Sequence, residues 1–127
     1  MIHLGAHMST GKGFDRAARD ARAIGADAMQ VFTRNPRGGK ARILRENELA
    51  QLAQEREQGL AIVCHAPYTV NLASAHDDVR AFGQQIIAED LQRMQKLGAR
   101  TLVVHSGAHT GAGEETGLAR LIQSLEL

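Results

Sequence analysis

At 127 residues, 43% of them apolar and 23% charged, the chain suits one domain with a modest core, and its composition excludes a disordered protein. Lys and Arg number 15 against 14 Asp and Glu, so overall charge gives no argument for a nucleic-acid or membrane surface. The one cysteine, Cys64, excludes an internal disulfide, and no run approaches the ~18 apolar residues of a membrane span, so a cytoplasmic protein is expected.

The first predicted element is a short apolar strand, Ile2–Ala6, followed by His7. A helix is predicted over Gly13–Ile24, with Phe14, Ala17, Ala18, Ala21 and Ile24 on one stripe. The second strand is Ala28–Thr33. After it, Arg34, Arg37, Lys40, Arg42 and Arg45 form a basic stretch without an acid, which reads either as a solvated loop or as a loop that contacts phosphate. A helix over Glu46–Gln58 turns Leu49, Leu52 and Ala53 inward, and strand Leu60–His65 follows. The third helix, Asp77–Leu97, carries Val79, Phe82, Ile86, Met94 and Leu97 near helical spacing. Strand Thr101–His105 leads to a helix that starts near Glu114 and runs through Leu118, Leu121, Ile122 and Leu125.

Gly25, Gly59 and Gly98 each stand between a helix and the next strand, where a left-handed residue ends the helix. The pattern is therefore four βα units and an α/β fold with a parallel sheet. Such units build either an open four-stranded sheet or half of a TIM (β/α)8 barrel, which takes about 250 residues. The reading adopted is one domain over residues 1–127, the N-terminal half of a TIM barrel. Its first and fourth strands would be open edges that favour self-association.

Parallel α/β folds put their chemistry at the C-terminal ends of the strands. His65 and His105 each close a strand there, and neighbouring strands lie about 4.8 Å apart, so both imidazoles can reach one metal ion or simply hydrogen-bond at the rim. His7 ends the first strand and is a candidate ligand, supporting group or phosphate contact. His109, four residues beyond His105, suits a supporting or exposed position, and His3 and His76 receive no role. Tyr68 follows His65 and Pro67, where its ring can stack on a base or pack in the loop. Asn71 is expected to bond within the loop, and Cys64 to face away from His65 as a core thiol. Asp77 and Asp78 match the helix dipole. The stretch Gly107–Gly113 has no phosphate-loop lysine, and Gly11 with Gly13 is a weak glycine-rich signal.

Four ordered blocks then carry a resemblance. They are Leu4-Gly5-Ala6-His7-Met8-Ser9, Phe32-Thr33-Arg34-Asn35-Pro36-Arg37, the segment from His65 to Ser74, and the segment from His105 to Gly113. Together they resemble the endonuclease IV family of zinc-dependent apurinic/apyrimidinic endonucleases. The resemblance implies a TIM barrel with three zinc ions, hydrolysing the phosphodiester 5′ to abasic sites in DNA during base excision repair. It implies that His65 and His105 are ligands of one zinc, that Arg37 and Tyr68 enter the DNA at the lesion, and that His7 belongs to the rim. The family's remaining ligands lie in the second half of the barrel, and Glu114 and Glu115, at a helix start, do not replace them. Asn35-Pro36-Arg37-Gly38-Gly39 stands where the family reads asparagine-glutamine-arginine-glutamine-tryptophan, and Ser106 stands in place of a proline. The expectation is a half-barrel with at most one partial zinc site, inactive alone. The alternatives are a sugar isomerase or epimerase of the same barrel type and a non-enzymatic half-barrel assembly module.

Overall fold

A computed structural model of the chain describes residues 2–126. The elements run β1 (Gly5–His7), α1 (Phe14–Ala23), β2 (Ala28–Phe32), α2 (Glu46–Glu57), β3 (Ala61–His65), α3 (Asp77–Leu97), β4 (Thr101–Val103) and α4 (Glu114–Leu125). The strands form one parallel sheet in the order β1-β2-β3-β4. This is the expected chain of βα units, with each crossover helix returning to the start of the next strand. Register brings Phe32 beside His65 and His65 beside Val103, so the last residues of three strands share one rim.

One layer of core lies between helices and sheet. Phe14, Ala17, Ala18 and Ala21 of α1 and Leu52 of α2 pack on Met29, Val31 and Cys64 of the strands, and Met94 and Leu97 of α3 complete the cluster. The small alanine stripe lets α1 lie close to the sheet, and the large residues fill the far side. A second cluster, Ala66, Val70, Leu72, Ile86 and Ile87, sits under the loop between β3 and α3. Gly98 ends α3 in the left-handed conformation at φ 69, while the following Ala99 N–H bonds back to Met94 O at 2.9 Å, as the repeated glycine junction predicted.

Several expectations are corrected. β1 begins at Gly5, not Ile2, and ends at His7. Before it, Leu4 N–H donates to the Asp27 carboxylate at 2.6 Å and Leu4 O accepts from Asp27 N–H, a local tie that replaces the ladder. β4 stops at Val103, because its neighbour β3 ends at His65 and offers no further partner; His105 stands two residues past the strand. Ile24 is 65% exposed at the α1 C-terminus instead of on the buried stripe. On α3, Phe82 is 40% exposed and the inward positions are Gly83, Ile86, Ile87, Asp90, Met94 and Leu97. On α4 the apolar stripe divides, and Leu121 packs on the second cluster. Gly117 and Ser124 are buried, Ser124 hydroxyl donating to Leu72 O, whereas Leu118, Ile122 and Leu125 face outward.

Candidate metal and nucleic-acid site

The C-terminal rim gathers five rings. Phe32, the last residue of β2, forms the floor, with its centroid 4.5 Å from His7, 5.0 Å from His65 and 5.2 Å from Tyr68. His65 and His105 lie 5.0 Å apart, and Tyr68 stands 5.9 Å from each. His7 is 6.3 Å from His65. The candidates His7, His65, His105 and Tyr68 therefore meet in one cluster, although they come from three separate βα loops.

Each imidazole is held differently. His65 is buried, and its Nδ1 contacts Ala66 O at 2.6 Å, which assigns the proton to Nδ1 and leaves the Nε2 lone pair free. His105 is exposed and is oriented by its ring neighbours. Zinc takes imidazole nitrogen at about 2.0–2.1 Å, so two ligand nitrogens on one tetrahedral ion stand roughly 3.3 Å apart, a spacing that rings with centroids 5.0 Å apart can reach. The donor set fits zinc in kind and falls short in number. Among the described residues no group of three or more His, Cys, Asp or Glu side chains is placed to hold a metal ion.

His7 accepts a hydrogen bond at Nδ1 from the Gln30 amide at 3.1 Å, which presents its Nε2–H outward as a donor. Burial, and then the proximity of the His65 imidazole, holds its pKa below the ordinary imidazole value. His109 turns back into its own loop, where Nδ1 accepts from Gly111 and Gly113 N–H, both at 3.2 Å. Asn71 does more than bond within its loop. It clasps the loop after β4, donating to Ala108 O at 3.0 Å and accepting from Ala108 N–H at 3.1 Å. Gly107, at φ 85, passes so close to the Asn71 carboxamide that any side chain there would collide with it. Cys64 is fully buried in the core, and burial, with the Asp90 carboxylate nearby, pushes its thiol up to about 12, which makes it inert.

Arg37 is exposed at the tip of the loop between β2 and α2 and stands outside the ring cluster. Its N–H donates to Asn35 Oδ1 at 3.0 Å, and Tyr68 N–H donates to Pro36 O at 2.9 Å, so the loop of Arg37 is stitched to the loop of Tyr68. The basic stretch is neither wholly solvated nor wholly available to phosphate. The Arg34 side chain is 1% exposed and pairs with Asp90 at 2.7 Å and Glu89 at 3.0 Å, and Arg42 pairs with Glu48. A cavity of about 800 Å³ opens between the β1–α1 and β2–α2 loops, lined by His7, Phe14, Phe32, Arg34, Lys40 and Arg42 among others, and so adjoins the ring cluster.

Sequence reasoning missed Phe32 as the floor of the site and missed Asp90 altogether. Both left a signal. Phe32 ends a strand in register with His65, and Asp90 is an acid on the inward stripe of an amphipathic helix, a position that a carboxylate occupies only with a buried partner.

Residues 18–127 match the xylose isomerase-like TIM-barrel family. The chain belongs to that family. A probable endonuclease 4 from Heliobacterium modesticaldum is 44% identical over 126 residues, covering 98% of this chain and 46% of the relative, and one from Thermotoga maritima is 35% identical over 129 residues. The crystal structure of endonuclease IV from Thermus thermophilus superposes with a TM-score of 0.75 at 28% identity, over 96% of this chain and 46% of that one. The resemblance to endonuclease IV in the sequence blocks is thus borne out along the whole chain, as is the half of a TIM barrel. An L-ribulose 3-epimerase superposes at 0.69 with 19% identity, which is a likeness of fold. The chain spans about half the length of the curated relatives it matches. No helix of the described residues is long and apolar enough to cross a membrane.

Proposed function

We propose that this chain is the N-terminal half of an endonuclease IV-like phosphodiesterase acting on abasic sites in DNA, with His65 and His105 as ligands of one zinc ion and Arg37 and Tyr68 as its DNA contacts. The observation that carries the reading is the pair of rim imidazoles 5.0 Å apart with the Tyr68 ring against both. Relatives at 35–44% identity that bear the name probable endonuclease 4 support it. A bound zinc supplies Lewis acidity toward phosphate oxygens. The chain's own residues bind and orient. The Nδ1 bond to Ala66 fixes the His65 ring, Arg37 offers an exposed guanidinium to the phosphate backbone, and Tyr68, 60% exposed, offers a face for stacking in the gap of a missing base. Two imidazoles without a carboxylate hold an ion weakly and cannot assemble a multi-metal centre, so the chain alone has little or no nuclease activity. The open edges of β1 and β4 are where a second copy associates, and its one thiol suits a reducing cytoplasm.

The test is binding and cleavage of a labelled duplex with one abasic-site analogue, with zinc present. The expected result is salt-sensitive binding that prefers the abasic duplex over an intact one, roughly tenfold weaker in Arg37→Ala or Tyr68→Ala, with no cutting above background. Equal affinity for intact and abasic duplexes overturns the DNA reading. Cutting at the rate of a full-length relative overturns the claim of inactivity.

A further inference from the structure

The loop that carries Arg37 has little apolar substance of its own. Between Thr33 and Arg42 its residues are Arg34, Asn35, Pro36, Arg37, Gly38, Gly39, Lys40 and Ala41, and a side chain at Gly39 would run into Phe82 and Ile86 of α3. Yet α3 grips it with charged groups at three places. Asp90 accepts from the Thr33 hydroxyl and from Arg34 Nε. Arg34 Nη1 in turn reaches forward to Gly39 O at 2.8 Å and sideways to Glu89 at 3.0 Å. Arg93, one turn after Asp90, donates to Thr33 O at 2.7 and 3.1 Å and to Arg42 O at 3.0 Å.

The pair at the centre is costly. The Arg34 and Asp90 side chains are 1% and 0% exposed, and Arg34 Nη2 and Asp90 Oδ2 have no hydrogen-bond partner among the described residues. A buried ion pair of this kind stabilises a fold no better than apolar residues of the same size, and its established use is to select one arrangement over others.

We propose that Asp90, acting through Arg34, is a positioning residue for DNA recognition: its carboxylate sets the conformation of the loop over residues 35–40 and so the place of Arg37 beside Tyr68. The inference rests on the DNA reading for its purpose, while the clamp itself is tested independently of DNA. Asp90 is fully buried, so it acts through the loop and not by contact with nucleic acid. It fixes the two ends of the loop, and the Tyr68 N–H to Pro36 O bond transmits the position to the neighbouring loop.

The decisive variant is Arg34→Met with Asp90→Leu, which removes the Asp90–Arg34 part of the grip, with Arg93 left in place, and leaves no buried charge unpaired. Two readouts are taken on the full chain: the rate of trypsin cleavage after Arg37 and Lys40, mapped by mass spectrometry, and affinity for the abasic-analogue duplex. The expected result is a melting temperature close to that of the unsubstituted chain, with cleavage at those two bonds about tenfold faster and duplex binding roughly fivefold weaker. Unchanged cleavage overturns the clamp. Faster cleavage with unchanged duplex affinity overturns its role in recognition. If the unsubstituted chain does not prefer the abasic duplex, the DNA reading fails and the cleavage rates still decide the clamp. Should the double variant not fold, Arg34→Lys carries the same comparison: it keeps a cation beside Asp90, gives up the fork that also reaches Gly39 O, and is expected to raise cleavage at Arg37 and Lys40, whereas unchanged cleavage overturns the clamp.

Discussion

His65 and Asp90 are both buried polar residues on inward faces, and they were unequally visible beforehand. His65 closes an apolar strand and is followed by Ala66-Pro67-Tyr68, so its place at a strand end can be read from neighbours in the chain. Asp90 acquires meaning only from Arg34, 56 residues away, and no local pattern pairs the two. The same distance hid the fate of Arg34, which looks like one of five basic loop residues and is instead the least exposed of them. The two partners predict a large asymmetry in stability. Asp90→Asn leaves the buried Arg34 guanidinium only the half-exposed Glu89 as counter-charge and should cost about 3 kcal/mol in chemical denaturation, whereas the paired replacement by Met and Leu should cost far less. Similar losses from both would mean that the clamp is ordinary packing.

At the scale of elements, α1 shows how one unit of the chain completes another. Its N-terminus has no capping side chain of its own, because Gly13 occupies that position. Glu48 from α2 supplies the missing acceptor, taking the Phe14 N–H while the Arg42 guanidinium grips the same carboxylate. Burial alone would raise the Glu48 pKa, but the Arg42 bond, the Phe14 N–H and the Arg42 charge outweigh it and hold the carboxyl below the usual range. A lowered carboxylate pKa adds stability that is present above the ordinary value of 4.5 and disappears as pH falls through the folded value. Thermal midpoints should therefore drop as pH falls below the ordinary value of 4.5 in the unsubstituted chain, and Glu48→Gln should be less stable at pH 7 and flatter in that acid range. A parallel pH profile for Glu48→Gln would remove Glu48 from the account. The four βα units were legible because each helix and strand keeps its period and each junction glycine marks a helix end. The strand ends at β1 and β4 were not, because an edge strand extends only as far as its single neighbour pairs with it, and that register is set by contacts distant in the chain.

At the scale of the molecule, the four strands leave two open edges, and α4 leaves Leu118, Ile122 and Leu125 at 58%, 53% and 52% exposure. Helical spacing gave that stripe correctly; which side of it meets the protein depends on what packs against the helix, and among the described elements that is α3, through Gln84 and Ser124. An apolar face of this kind beside open strand edges drives association. Sedimentation velocity at rising concentration should show dimers or larger species, and Ile122→Glu should shift the chain toward monomer. Monomers throughout, with and without the substitution, would show that the face attracts no second copy.

Zinc titration against a chromophoric competitor, with X-ray absorption on the loaded chain, decides whether His65 and His105 share one ion. One zinc per chain carrying two imidazole nitrogens at about 2.0 Å is expected, with affinity falling at least about tenfold in both His65→Ala and His105→Ala. Zinc retained undiminished by both variants, or no binding to the unsubstituted chain, would contradict the shared ion.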